Sequence, residues 1–292
     1  MRKWLMFLVG VAMVAACGPS YEEQKKMTRA EQLRLAAENR AALKIAVMPT
    51  IDCMPVYLAK SAAWFDSMAV DIRLKRWNAQ MDCDTALKGK SVEVAVTDRK
   101  RVEHMTEAKT ALLTMGSTNA YWQLIANRVT RVKNVSQLSD KMIAMTRYSA
   151  TDYLTEKALA GIKTSAPVFR IQINDVQTRL DMLKNNEMDA AWLAEPQATA
   201  ARRYKHVVIM DSRKMDEKLG VVVMRSELLD DAKRKEQLSA FIKGYNRACD
   251  SLNTYGLKHY RNVIKAFCNS DDDVIEALPD FYFPHIGFPE RK

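Results

Sequence analysis

The chain has 292 residues, of which 48% are hydrophobic and 27% charged, with a formal charge of +10, 9 Gly, 8 Pro and 5 Cys. That length accommodates two modest domains, and so few glycines and prolines favour regular elements over low-complexity tracts. The basic residues are interleaved with acids, and there is no basic arm, zinc-ligand spacing or aromatic RNA-binding motif, so the charge points to a solvated surface and not to nucleic acid.

The first residues address the protein. Arg2 and Lys3 precede the apolar run "WLMFLVGVAMV", which is too short to rely on as a membrane span and ends in small residues before Cys17. This is the pattern of a secretory signal over 1–17. "VAAC" also resembles the lipobox of bacterial lipoproteins, and that resemblance implies a lipid on Cys17 and anchoring on the periplasmic side of a bacterial membrane. Cleavage removes two basic residues and no acids, so the charge falls from +10 to +8. Residues 18–43 are polar and rich in Glu, Gln, Lys, Arg and Ala, and read as a partly helical tether.

From residue 44 short apolar runs alternate with helix-like segments. "LKIAVM" reads as a strand, "MPVYLAKSAAWF" as a helix, "AVDIRLKRW" as a strand, "CDTALKG" as a short helix and "VEVAVT" as a buried strand. Two extended runs then flank a Gly-Ser-Thr-Asn loop in "KTALLTMGSTNAYWQLIAN". A second alternating set follows: "KMIAM", "YLTEKALAG", "VFRIQI", "DVQTRLDMLKN", "MDAAWL", "PQATAARRY" and "HVVIM". "LGVVVM" is one more strand, and the remainder is helical and charged. Alternation of this kind implies an α/β architecture dominated by parallel strands, with the ligand edge beyond their carboxyl ends. Two lobes are expected, 44–130 with 213–292 and 131–212, the chain crossing near 130 and 213.

Several segments resemble the type II periplasmic solute-binding proteins of ABC importers, in the sulfonate, nitrate and thiamine-precursor group. "LKIAVMPTIDCMPVYLAKSAAWF" is similar to that family's opening strand, ligand loop and first helix. "LKGKSVEVAVTD", "VSQLSDKMIAMTRYSATDYL" and "RLDMLKNNEMDAAWLAEPQATAA" follow in the family's order, the last ending in a Glu-Pro pair, Glu195 and Pro196. The match runs from about residue 43 to 228. It departs at Asn185 and Asn186, where the family often has glycine, and at "RWNAQMDCD", which lacks the usual glycines. The resemblance implies a two-lobed fold with a ligand cleft, no cofactor, a small anionic or amino-bearing solute, and a permease with its ATPase as partners of a monomer.

The stretch "RYSATDYL" sits where a strand turns into a helix, and helix N-termini suit small anions. Arg147, Tyr148, Ser149, Ala150 and Thr151 are therefore candidate ligand residues, Arg147 as a forked grip on an oxyanion; Ser149 also suits an N-cap. Thr50 and Asp52 follow the first strand, Thr97 and Asp98 the third, and Gly116, Ser117 and Thr118 the next run. Each is an ordinary turn residue, and convergence on one strand edge is what marks a site. The resemblance places Glu195 near the ligand. Trp77 and Trp192 suit stacking on a planar ligand, although core packing is the commoner use of Trp.

With Cys17 lipidated, Cys53, Cys83, Cys249 and Cys268 remain, which allows three pairings. Bridges Cys53–Cys83 and Cys249–Cys268 are the expectation from strand and helix placement. No cysteine spacing suggests a metal site. An enzyme related to thiamine-pyrimidine synthesis and a scaffold that has lost its ligand are the alternatives to a binder. The first needs an active-site histidine and a cysteine-rich motif, but His104, His206, His259 and His285 are scattered.

Overall fold

The computed structural model describes residues 28–215 and 217–289. The signal segment, Cys17 and the first part of the tether lie outside the described residues. The chain forms two units that divide between Ala42 and Leu43. In the first, helix α1 (Arg29–Ala41) buries no residue. It is held locally, by the Thr28 hydroxyl accepting from the Glu31 amide at 3.3 Å and by an Arg34–Glu38 pair one turn apart. The tether was expected to reach 43, but Leu43 is fully buried and opens the first strand.

The second unit runs β1 (Leu43–Val47), α2 (Met54–Ser61), β2 (Ile72–Arg76), α3 (Gln80–Lys88), β3 (Val94–Asp98), α4 (Arg99–Glu107) and β4 (Leu112–Ser117). It continues β5 (Gln123–Ala126), β6 (Met142–Met145), α5 (Ala150–Leu159), β7 (Phe169–Gln172), α6 (Val176–Lys184), β8 (Ala190–Leu193), α7 (Gln197–Arg203) and β9 (Val207–Asp211). It ends with β10 (Gly220–Arg225), α8 (Ala232–Tyr255), α9 (Arg261–Cys268) and α10 (Asp272–Glu276). Two five-stranded sheets result, ordered β2-β1-β3-β10-β4 and β7-β6-β8-β5-β9.

Four strands of each sheet run the same way, and one interior strand, β10 or β5, runs against them. Both reversed strands are the first that the chain lays down after changing sheets. The first change falls between Ser117 and Gln123, not near 130 as expected, and residues 123–126 belong to the second sheet. The return lies between Asp211 and Gly220. Gly220 is required there, because a Cβ would fall 2.1 Å from the Thr118 hydroxyl and 2.6 Å from the Ala120 methyl of the other crossing segment.

Every residue of β1, β3, β5, β8 and β10 is buried, which is why these are mostly apolar and lack the alternation of a half-exposed strand. Alternate side chains divide between the faces. In the first sheet Ile45, Val94 and Val222 join the cluster under α2 and α8, while Ala46, Ala95 and Val223 pack with α3. The second sheet divides likewise, Leu124 and Trp192 on one face and Ile125 and Ala191 on the other.

The four cysteines are free thiols and all buried, contrary to the expected bridges. Cys53 and Cys83 fall in clusters on opposite faces of the first sheet. The Cys249 thiol points instead to the Pro284 carbonyl, at 3.4 Å. Burial pushes all four thiols up from their ordinary value, so they act as small apolar groups.

The last residues lie along α8. Asn246 and Asn253 each bond both backbone groups of one tail residue, Ile286 and Phe283, at 2.8 to 2.9 Å. The Gly287 amide donates to the Met115 carbonyl of β4, and a Cβ on Gly116 would meet Ile286 at 3.0 Å.

Candidate functional site

The carboxyl ends of β1, β3, β6, β7 and β8 converge on one cavity of about 60 Å³. Its first-sheet wall is Met48, Thr50, Asp52, Gln80, Val96, Thr97 and Asp98. Trp122 at the head of β5, with Thr146, Ser149, Thr151, Asn174, Arg179 and Trp192, forms the opposite wall. Since one water needs roughly 10 to 15 Å³ on this measure, the space suits a small solute or a head group.

The two walls meet directly. The Ala150 amide donates to Asp98 Oδ1 at 3.0 Å, Arg101 Nη1 to the Arg147 carbonyl at 2.9 Å, and Gln197 Nε2 to the Pro49 carbonyl at 3.0 Å. The Ile51 amide reaches the Glu195 carbonyl at 2.9 Å, and the Val176 amide the Asn78 carbonyl at 3.0 Å. Arg101 is held in place by a buried ion pair with Asp84.

These contacts change the reading of "RYSATDYL". Ser149 is the N-cap of α5, its hydroxyl accepting from the Thr151 amide at 3.1 Å and donating to the Thr146 carbonyl at 2.6 Å. The Asp152 and Tyr153 amides both reach the Ser149 carbonyl at 3.1 Å. With Ala150 bonded to Asp98, the first turn offers no free amide to an oxyanion.

Arg147 is exposed and contributes only its carbonyl, so the expected guanidinium grip is absent. Tyr148 adopts φ +58°, donates its amide to Asp152 at 3.0 Å and stacks on His104 at 4.1 Å, outside the cavity. The left-handed turn at Tyr148 sends both side chains outward.

Of the other candidates, Thr50, Asp52, Thr97, Asp98, Ser149 and Thr151 line the cavity. Trp77 instead packs beside Met48 and Cys83. Gly116 and Ser117 lie in β4, where Gly116 meets the C-terminal tail, and Thr118 bonds Gly220 and Ala120 in the crossing segments.

Glu195 is buried but turned away. It accepts from the Tyr121 hydroxyl and Arg202 at 2.8 Å, and from the Thr199 amide and hydroxyl at 2.9 and 2.6 Å. The Glu195–Pro196 peptide is cis. This carboxylate is spent on α7 and the crossing segment, not on the cavity.

Sequence reasoning missed Gln80, Trp122, Asn174 and Arg179. Arg179 is almost fully buried, its guanidinium bonded to the Trp192 and Ile173 carbonyls and the Thr146 hydroxyl, each at 2.7 Å. The available signal was an arginine beside Leu180 on the apolar face of α6, where a cation is rare unless held.

Burial also moves the charges. It pushes the Asp98 carboxyl up to about 7, against the opposing pull of the Arg101 and Ala150 amides and of Arg101's charge. Asp52 is raised by burial as well, and Arg179 is lowered to about 10 for the same reason.

Residues 50–254 match the family described as NMT1/THI5 like. No curated protein sequence matches the chain. Among solved structures, a ligand-binding component of an ABC-type import system from Staphylococcus aureus, with zinc bound, superposes with a TM-score of 0.70 at 16% identity, covering 84% of this chain and 86% of that one. The periplasmic aliphatic sulphonate-binding protein SsuA from Escherichia coli gives 0.67 at 16%, over 83% and 85%. The periplasmic nitrate-binding protein NrtA from Synechocystis PCC 6803 gives 0.68 at 13%, over 82% and 69%. At these identities the likeness establishes a shared two-lobed periplasmic-binding fold.

Proposed function

This chain belongs to the NMT1/THI5-like family, and on that premise we propose that it is the solute-binding component of an ABC import system. It captures a small solute between its two walls and delivers it to a permease. The observation that carries this reading is the cavity itself, built from the carboxyl ends of strands in both sheets and closed by direct bonds between them. A ligand that replaces some of those bonds couples its own binding to the separation of the walls.

Lipid on Cys17 would hold the protein at the periplasmic face, with the polar segment up to Ala42 as spacer and the second unit acting as a monomer. Binding is favoured over catalysis because the histidines that proton transfer would use stand off the wall. His104 stacks on Tyr148, His206 accepts from the Arg128 amide, His259 packs on Tyr255, and His285 bonds Asp250.

The test is mass spectrometry of the small molecules released when the purified protein is denatured, followed by calorimetric titration of the refolded or washed protein with each. One released solute rebinding at a stoichiometry of one is the expected result. Release of no solute, and turnover of a candidate without stable binding, would overturn the reading. For the anchor, Cys17→Ser should shift the protein out of the membrane fraction; wild-type fractionation and processing would contradict it.

A further inference from the structure

The polar groups of the cavity divide by charge. The first-sheet wall carries two carboxylates, Asp52 and Asp98, and the opposite wall carries the guanidinium of Arg179. Arg179 is bonded only to neutral oxygens, two carbonyls and a hydroxyl. Among the described residues no carboxylate forms an ion pair with it; its bonded partners are all dipoles, and Asp175 acts on it only through space, so its burial is costly and an anionic partner in the cavity relieves it.

Two further donors on that wall, Asn174 Nδ2 and Trp122 Nε1, have no protein acceptor among the described residues. The acids opposite are placed likewise. Asp98 is almost fully buried, both of its amide bonds fall on Oδ1, and Arg101, the cation that acts on it, is committed to Asp84.

Once the two acids are ionised, a simple anion would bring its charge against both of them, and the first turn of α5 has no amide left to offset that. A simple cation would face Arg179. We propose that the cavity takes a small zwitterion, its cationic end on Asp52 and Asp98 and its anionic end on Arg179, Asn174 and Trp122. The proposal rests on the solute-binding reading and narrows it to one ligand class. The cavity of about 60 Å³ limits that ligand to a few heavy atoms.

The experiment is calorimetric titration of the full chain with glycine, β-alanine and 4-aminobutyrate, each against the carboxylic acid and the primary amine of the same chain length. The structure requires at least one zwitterion to bind about tenfold or more tightly than both of its singly charged counterparts, the scale of one charge-assisted contact. Asp52→Asn should remove most of that advantage, while Arg147→Ala, whose side chain lies outside the cavity, should leave it intact. Equal binding of an acid or amine, or no binding by any zwitterion at millimolar concentration, overturns the assignment. If the solute released from the purified protein is a simple anion or cation that rebinds, the zwitterion assignment fails while solute capture stands. If nothing is released and nothing binds, both fail.

Discussion

The carboxyl of Asp98 shows how one residue links the two walls to pH. Held up to about 7 by burial, it keeps its proton in the folded chain over a range in which the unfolded chain, with an ordinary value of 3.8, has released it. The folded state therefore binds more protons between those values, and stability falls as pH rises from about 4 to 7, by at most about 1.4 kcal/mol per unit. The groups facing it are the amides of Arg101 and Ala150, the Arg101 guanidinium and the Asp84 carboxylate. Asp98→Asn keeps the acceptor for both amides and removes the titration, so denaturation across this range should show the wild type losing stability relative to the variant. Parallel curves would contradict it. Glu195 gives the opposite case, a buried acid already matched by Arg202, Tyr121 and Thr199. Glu195→Ala should lower stability by about 3 kcal/mol, the cost of breaking a buried pair, which urea denaturation will measure. Arg147→Ala should change neither stability nor affinity, since the residue contributes a backbone carbonyl.

At the scale of elements, the start of α5 and the crossing segments do most to fix the cavity. Ser149→Ala removes the cap and should cost about 1 kcal/mol in thermal unfolding. Gly220→Ala forces a methyl against Thr118 and Ala120, and should destabilise the chain more than that loss of a cap; an unchanged melting temperature would show that the crossing segments yield. The order of strands and helices was legible because β1, β3, β8 and β10 are covered on both faces and so write short, mostly apolar runs. The change of sheet was not, because β5 is four residues long and pairs antiparallel with β8 and β9, and nothing in "QLIA" distinguishes one sheet from the other. On the first sheet Thr50 and Asp52 do follow β1, whereas Thr97 and Asp98, expected in the turn after β3, are its last two residues and line the cavity from the strand's carboxyl end. Arg147 looked better than Arg179 because sequence shows that an arginine is near a helix start but not that φ +58° at Tyr148 turns the segment outward. Glu195 and the cysteines failed for a related reason: which face of a sheet or helix receives a side chain is decided by packing that linear spacing does not record.

In the whole molecule, two sheets enclose a small charged cavity with their carboxyl ends and hold each other across it. A solute that binds only this arrangement must stabilise the folded chain, by about 2.7 kcal/mol at a hundred times its dissociation constant. Val176 lies in the cavity wall at the first turn of α6 and is only partly buried, so Val176→Phe fills the space without emptying the core. The most direct measurement is thermal unfolding of the wild type and of Val176→Phe against rising concentrations of the solute released from the purified protein. The melting temperature of the wild type should climb with the logarithm of concentration while that of Val176→Phe stays level; equal climbs in both, or none in the wild type, would contradict a binding site between the sheets.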